Sequence, residues 1–128
     1  MERNTIETRV AMISMVEPGI VRIIYKADAQ VTIAEAHENV EAVAKVVGGV
    51  HSPIFTDIRP ISTIDRDSRQ YFVGDEAAEV TSATALLVDS PISRVIGNFF
   101  IGLNRSRWPV HMFSEESEAM VWLEGFLD

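Results

Sequence analysis

The sequence predicts an α/β domain in which a mixed, mostly parallel sheet is covered by helices. After two opening strand-like segments, short apolar runs alternate with segments of helical periodicity, a pattern typical of parallel strands joined by right-handed crossovers. One apolar run, residues 83–88, is interrupted only by Thr84, as expected of a strand covered on both faces. The 128 residues suit a single domain spanning residues 1–128, with a flexible tail over residues 1–4.

The predicted element order is β-β-α-β-α-β-α-β-α, with five strands and four main helices. The strands cover residues 5–16, 20–25, 53–58, 83–88 and 110–113, and the helices cover residues 33–47, 66–80, 91–103 and 115–126. Most of the strand segments are rich in β-branched or aromatic residues, and Glu17, Pro18 and Gly19 supply the turn of the opening hairpin. The hairpin therefore adds an antiparallel edge to a parallel sheet.

Each helix begins at a residue whose side chain can accept a hydrogen bond from the first turn. These caps are Thr32, which has Glu35 three residues later, Asp65 or Asp67, Ser90, which precedes Pro91, and Ser114. Apolar residues at helical spacing follow the caps, and Gly48 ends the first helix. The final helix carries acidic residues in its first turns, where the helix dipole favours negative charge.

Composition argues against several classes of function. The chain carries 19 acidic and 11 basic side chains, and the resulting net charge of −8 argues against binding to nucleic acid. There is no cysteine, and the three histidines are not spaced as metal ligands, so we expect neither a metal site nor a bound cofactor. The N-terminus lacks a signal-peptide pattern and no apolar run is long enough to cross a bilayer, which predicts a cytoplasmic protein.

Three stretches of the chain resemble a known family. They are PIFTDIR at residues 53–59, SPISRVIGNFFIGLN at residues 90–104 and PVHMFSEESEAMVWLEGFL at residues 109–127. With them, the chain from Ile20 to Leu127 resembles small bacterial proteins of uncharacterised function that have the STAS-like fold of anti-sigma-factor antagonists. This resemblance implies the same α/β fold. The wider fold group also includes lipid-binding domains of the CRAL-TRIO type, so a regulatory and a ligand-binding role both stay open.

The resemblance also implies where a phosphorylation switch would lie. In anti-sigma-factor antagonists, the strand that corresponds to residues 53–58 leads to an Asp-Ser-Ser-Gly-like turn whose serine is phosphorylated at a helix N-terminus. Asp65 matches the aspartate, but Arg66 or Asp67 occupies the serine position and the glycine is missing. Because Ser68 lies one to two residues too far along the chain, we expect no switch of this kind.

A candidate ligand site lies where the predicted parallel strands end. Ligands of open α/β sheets bind outside the carboxyl ends of the strands, where helices begin. The candidate residues at these ends are Asp57, Arg59, Asp89, Ser90, Ser93 and Arg94. An arginine beside a helix N-terminus can hold a carboxylate or a phosphate through its two-pronged guanidinium. The alternative is purely structural: Ser90 is a helix cap, and Arg94 pairs with Asp57 or Asp89.

The helix that begins after Ser90 also suggests an interface. On a helical projection its large apolar residues occupy an arc of about 140°, which predicts a face that packs on the core. These residues are Ile92, Val95, Ile96, Phe99, Phe100 and Leu103. Ser93 and Gly97 flank the arc and Ile101 lies outside it, and small residues allow a second backbone to approach. Ser93, Gly97 and Ile101 are therefore a candidate homodimer interface, with packing inside the chain as the alternative.

Three classes of function follow from these observations. The favoured class is a non-enzymatic STAS-like regulatory or protein-interaction module that forms a homodimer or binds another protein. The alternative is a domain that binds a small molecule, a nucleotide or a lipid, with Arg59 and Arg94 as the anchor for its anionic group. A hydrolase or transferase built on Asp57, Asp89 and Ser90 is the third class, although the sequence contains no nucleophile elbow, phosphate loop or dinucleotide-binding fingerprint.

Overall fold

A computed structural model describes residues 2–16, 18–104 and 107–127 of the chain. The elements in chain order are β1 (Glu2–Glu7), β2 (Ala11–Val16), β3 (Ile20–Tyr25), β4 (Ala29–Val31), α1 (Ile33–Val47), β5 (Ser52–Asp57), β6 (Ile61–Ile64), α2 (Arg66–Phe72), α3 (Asp75–Ala78), β7 (Thr81–Leu87), α4 (Pro91–Asn104), β8 (Val110–Phe113) and α5 (Glu116–Glu124). At least one helix separates each pair of neighbouring parallel strands in the main sheet, which confirms the predicted α/β class.

The main sheet has six strands in the order β1-β2-β3-β5-β7-β8. Strands β1, β2 and β3 form an antiparallel meander, whereas β3, β5, β7 and β8 run parallel to one another. Strands β4 and β6 form a separate two-stranded parallel sheet. The mixed sheet with an antiparallel edge is thus confirmed, but it has one strand more than the five that the sequence predicted.

The first predicted strand is in fact two strands. Residues 5–16 divide into β1 and β2 because the chain turns between them, where the Thr8 N–H donates to the Ala11 carbonyl at 2.8 Å and the Thr8 hydroxyl accepts from the Ala11 N–H at 3.1 Å. Residues 2–4, for which we expected a flexible tail, lie in β1 next to β2. Met1 lies outside the described residues.

The capping signals place the first two helices correctly. Thr32 and Glu35 form the expected capping box of α1. Of the two candidate caps of the second helix, Asp65 is the one used, and its carboxylate accepts a hydrogen bond from the Ser68 N–H at 2.8 Å. The second helix is shorter than predicted, because Gly74 separates α2 from the single turn α3.

The later helices follow the same rules with one difference. The Ser90 hydroxyl accepts a hydrogen bond from the Ser93 N–H at 3.1 Å and caps α4, as predicted. Helix α5 begins one residue later than expected, because Glu115 rather than Ser114 is the last residue with extended backbone. Within the described ranges, no helix is long and apolar enough to cross a membrane.

The two faces of the sheet are covered unequally. Helices α1, α2 and α4 pack on the first face, over the larger core cluster. Helix α5 packs on the second face, where Ala119 and Leu123 contact the smaller cluster around the fully buried Phe55. The carboxyl ends of β5 and β7 therefore open toward the starts of α4 and α5, where the candidate ligand site was predicted.

Candidate functional site

Asp57 and Arg59 form an ion pair at the carboxyl end of β5. The Asp57 side chain is 7% exposed and the Arg59 side chain is 44% exposed. The guanidinium holds both carboxylate oxygens, since Nε donates to Oδ1 at 2.9 Å and Nη2 donates to Oδ2 at 2.8 Å. The backbone N–H of Arg59 also donates to Oδ1, at 3.1 Å. Asp57 therefore occupies the edge of the Arg59 guanidinium that we expected to bind an anionic ligand.

The surroundings of Arg59 are acidic. Its pKa is raised mainly by the hydrogen bonds to Asp57, with partial burial opposing the effect and the charges of Asp57, Asp89 and Glu116 adding to it. Glu116, at the start of α5, is itself paired with Arg22 of β3, where Nε lies 3.0 Å from Oε2. Three carboxylates thus lie near two guanidinium groups. This balance of charge does not favour a bound anion.

Ser93 closes the turn between β7 and α4. It is 1% exposed, and its hydroxyl accepts hydrogen bonds from the N–H groups of Asp89 at 2.9 Å and Ser90 at 3.0 Å. These backbone donors are the groups that an anion would use at a helix N-terminus. Here they are satisfied by the chain itself, and Ser90 has the capping role that the structural alternative predicted.

Arg94 does not take part in this hydrogen-bonded group. It is exposed and makes no ion pair with another described residue, so the expected pairing with Asp57 or Asp89 is not formed there. The structure brings Asp57, Arg59 and Asp89 to one end of the sheet. The predicted anchor for an anionic ligand needs the guanidinium groups of both Arg59 and Arg94. The guanidinium of Arg59 is not available for this role, because it is paired with Asp57.

Ser68 is the serine closest in sequence to the phosphorylation position of the resembled family. It is fully buried, and its hydroxyl donates to the Asp65 carboxylate at 2.6 Å and lies 3.3 Å from the Val31 carbonyl oxygen. Its hydroxyl and N–H bonds to Asp65 lower the pKa of that carboxyl. The Ser68 hydroxyl is therefore inaccessible to a kinase in this fold.

Helix α4 faces the sheet with its small residues. Ser93 and Gly97 are buried, and Ile96 beside them is 6% exposed. A Cβ atom at Gly97 would lie 2.6 Å from Sδ of Met112 on β8, so the absence of a side chain lets the helix approach the sheet. Two of the three candidate interface residues, Ser93 and Gly97, are thus used inside the chain. The third, Ile101, is 38% exposed.

Part of the apolar arc of α4 faces away from the core. We expected Ile92, Val95 and Phe99 to pack on the sheet, but their exposed fractions are 64%, 53% and 42%. The helix is rotated about its axis relative to the prediction because small residues, rather than the large ones, face the sheet. Phe100 keeps the expected inward position, and the side chain of Leu103 lies outside the described residues. We call Ile92, Val95 and Phe99 the α4 strip.

The α4 strip borders a surface groove of about 310 Å³. Ile92 and Val95 line it on one side, and residues of β6 and α2, including Ile64 and Arg69, line it on the other. The Arg69 guanidinium lies 4.1 Å from the centre of the Phe99 ring, a cation–π contact. We did not predict this exposed surface, because an apolar arc of about 140° on α4 indicated a face that packs on the core.

The described part of the chain contains no group of three or more histidine, cysteine, aspartate or glutamate side chains placed to hold a metal ion. Two of the histidines are engaged with aromatic rings. His37 stacks on Tyr71 with ring centres 4.0 Å apart, and His111 stacks on Trp122 at 4.8 Å. These contacts are typical of histidines with a structural role.

A comparison with a solved structure supports the fold. An uncharacterised protein of the DUF3478 family with a SpoIIAA-like fold, from Shewanella loihica PV-4, superposes with a TM-score of 0.63 at 9% identity, over 92% of this chain and 98% of that chain. A protein of unknown function from Arthrobacter sp. FB24 is 29% identical over 92% of this chain and 95% of that chain, with a TM-score of 0.37. No curated protein matches the sequence.

The SpoIIAA-like match confirms the STAS-like fold that the sequence resemblance implied. A family model described as a domain of unknown function, DUF7793, matches residues 14–127. This range runs from β2 to the residues after α5, and it includes the Asp57–Arg59 pair and the α4 strip. The chain therefore belongs to the DUF7793 family of domains of unknown function.

Proposed function

We propose that this protein is a non-enzymatic interaction module, with a regulatory role exerted through association, and that its partner is a second copy of its own chain. The observation that carries the proposal is the exposure of the α4 strip, which places three large apolar side chains on one side of a 14-residue helix. The largest contiguous apolar patch on a protein surface is often a functional one.

The size of the strip suits the centre of an interface. Its three side chains expose on the order of 300 Å² of apolar surface, if a large side chain presents roughly 150–250 Å² when fully exposed. A dimer of standard size buries about 800 Å² of each partner. The strip would supply the apolar centre of such a contact, and the polar groups of β6 and α2 around the groove would supply its rim.

A second copy of the chain fits this surface for reasons of spacing and charge. Ile92, Val95 and Phe99 recur at positions i, i+3 and i+7, so two α4 helices packed antiparallel would bury the strip against itself. The same pairing would bring Arg69, which lies over Phe99, toward Asp89 at the start of the other helix. Asp89 is exposed and has no ion pair with any other described residue, so it is available for this contact.

Sedimentation equilibrium across a wide range of protein concentration tests the proposal. We expect the wild-type protein to be a dimer and Val95→Glu to weaken the dimer by about a hundredfold, because the new carboxylate would be buried without a partner. Val121→Glu is the matched control, since Val121 is 68% exposed on α5 and lies outside the strip. Far-UV circular dichroism checks that both variants are folded.

Two results would contradict the dimer. One is a wild-type protein that stays monomeric at the highest concentration reached. The other is a Val121→Glu variant that weakens association as much as Val95→Glu does, because the effect would then come from added charge and not from the strip.

The non-enzymatic part of the proposal rests on the strand-end residues. The Ser90 hydroxyl bonds with Ser93 and with no histidine or carboxylate among the described residues, so it lacks the base that activates a nucleophilic serine. We expect no turnover of ester or phosphoester substrates. Turnover that is lost in Ser90→Ala or Asp57→Asn, in protein that remains folded, would overturn this part.

A further inference from the structure

A cavity of about 80 Å³ lies between the sheet and the helices of its first face. Strands β3, β5, β7 and β8 form its floor, and residues from α1 to α4 form its roof. Most of the wall is apolar and includes Ile23, Val43, Ile54 and Leu86. Since protein cores contain few voids larger than a water molecule, a cavity of this size is a candidate binding site.

The Tyr25 side chain places a hydroxyl group on this apolar wall. Tyr25 is 6% exposed, and its hydroxyl accepts a hydrogen bond from Nδ2 of Asn39 at 3.2 Å. The oxygen of the Asn39 amide, Oδ1, also has a partner, because it accepts a hydrogen bond from the Thr8 hydroxyl at 2.7 Å. Among the described residues, no group accepts the proton of the Tyr25 hydroxyl. The cavity thus contains a hydrogen-bond donor without an acceptor, and Thr56 and Thr84 also line it.

The donor is permanently available. Burial raises the pKa of Tyr25 to about 12, so the phenol keeps its proton throughout the physiological range. A buried donor without an acceptor carries an unfavourable desolvation free energy, which an oxygen atom in the cavity would remove. A single buried water makes two to four hydrogen bonds and would leave much of this apolar wall without contacts. An apolar molecule with one oxygen matches the wall and the donor better.

We propose that the cavity binds a short-chain carbonyl compound whose oxygen accepts a hydrogen bond from Tyr25. The size follows from volume: an apolar cavity of about 150 Å³ holds benzene, so about 80 Å³ corresponds to roughly three to four non-hydrogen atoms. Phe72 and Phe100 also line the cavity, are only half-buried, and meet edge to face with ring centres 5.9 Å apart. Rotation of these side chains provides the entry route.

Methyl NMR titration of the full chain with two probes of nearly equal shape tests the proposal. The probes are acetone and 2-methylpropene, in which a CH₂ group replaces the carbonyl oxygen. We expect saturable shifts at the methyl groups of Val43 and Ile54 with both probes. The ketone should bind about tenfold more tightly, because only the ketone accepts the hydrogen bond.

Three variants test whether the probes bind in this cavity and whether Tyr25 causes the preference for the ketone. Tyr25→Phe should abolish the preference for the ketone and still bind the alkene, whereas Tyr71→Phe, whose ring lies outside the cavity wall, should keep the preference. Ala77→Leu adds about the volume of the cavity to its wall and should abolish binding of both probes. Far-UV circular dichroism confirms that each variant is folded before its affinities are compared.

The comparison of the two probes in the wild-type protein needs no variant, so the proposal stays testable if Tyr25→Phe fails to fold. Equal affinity for ketone and alkene would overturn it. So would the absence of saturable shifts with both probes, or a water molecule detected beside Tyr25 that the ketone does not displace. None of these results depends on whether the chain forms a dimer, because the cavity and the α4 strip are separate surfaces.

Discussion

Replacing Asn39 with leucine tests whether a buried polar connection stabilises the core. Asn39 is 1% exposed and links the Thr8 hydroxyl, at 2.7 Å, to the Tyr25 hydroxyl, at 3.2 Å. Leucine has a similar volume, so Asn39→Leu removes both hydrogen bonds without opening a large cavity. The variant therefore isolates the polar contribution of this side chain.

The consequences for the two partners differ. The Thr8 hydroxyl keeps another acceptor, the Ala11 carbonyl at 3.3 Å. The Tyr25 hydroxyl loses its hydrogen bond with Asn39 and stays buried. Because an orphaned buried polar group costs about 1–3 kcal/mol, we expect Asn39→Leu to lower the free energy of unfolding by about 2 kcal/mol. Tyr25→Phe should lower it by less, about 1 kcal/mol, because it leaves the Asn39 amide without its acceptor but also removes a buried hydroxyl proton that has none.

The double variant gives the decisive comparison. Asn39→Leu combined with Tyr25→Phe leaves neither group orphaned, so it should be about 2 kcal/mol more stable than the sum of the single effects predicts. Urea denaturation followed by circular dichroism measures the free energy of unfolding of all four proteins. If the two single effects add within about 0.5 kcal/mol, the hydrogen bond between these residues contributes no coupling and the reasoning is refuted.

Two further variants test other contacts. Gly97→Val should lower the free energy of unfolding by about 2 kcal/mol or more, because Cβ alone would lie 2.6 Å from the Met112 sulfur. Denaturant unfolding should show partial recovery when Met112→Ala is added, and no recovery would contradict the overlap. The pKa of Asp65 is lowered from 3.8 by hydrogen bonds from Ser68, so its stabilising effect is present above about pH 4 and lost as the pH falls through the lowered value. The thermal unfolding temperature of Asp65→Asn should therefore fall less steeply below about pH 4 than that of the wild type. Identical dependence of this temperature on pH in the two proteins would contradict the role of Asp65.

Local signals predicted most of the elements because they act within a few residues. The Thr32–Glu35 capping box and the cap at Ser90 need no knowledge of the rest of the chain. Strands β4 and β6 were missed because three or four residues are too short to show a period. The break between β1 and β2 was missed because its turn, from Thr8 to Ala11, contains neither glycine nor proline.

The functional surfaces depend on contacts between distant parts of the chain, so they were predicted less well. Parallel topology was enough to place Asp57, Arg59 and Asp89 at one end of the sheet. The orientation of α4 depends on Met112, a residue of another element, which fits against Gly97. A projection of one helix shows its apolar arc but not which neighbour will cover it. The cavity beside Tyr25 likewise requires the relative positions of the sheet and four helices.

The antiparallel meander at the edge of the main sheet has a consequence for the order of folding. Strands β1, β2 and β3 are joined by short turns, so their pairing closes short loops at low entropic cost. Each parallel pair beyond β3 must instead enclose at least one helix before its strands meet. The first 25 residues of the chain can thus provide an early template, and β5, β7 and β8 add to its open side in the order in which the chain presents them.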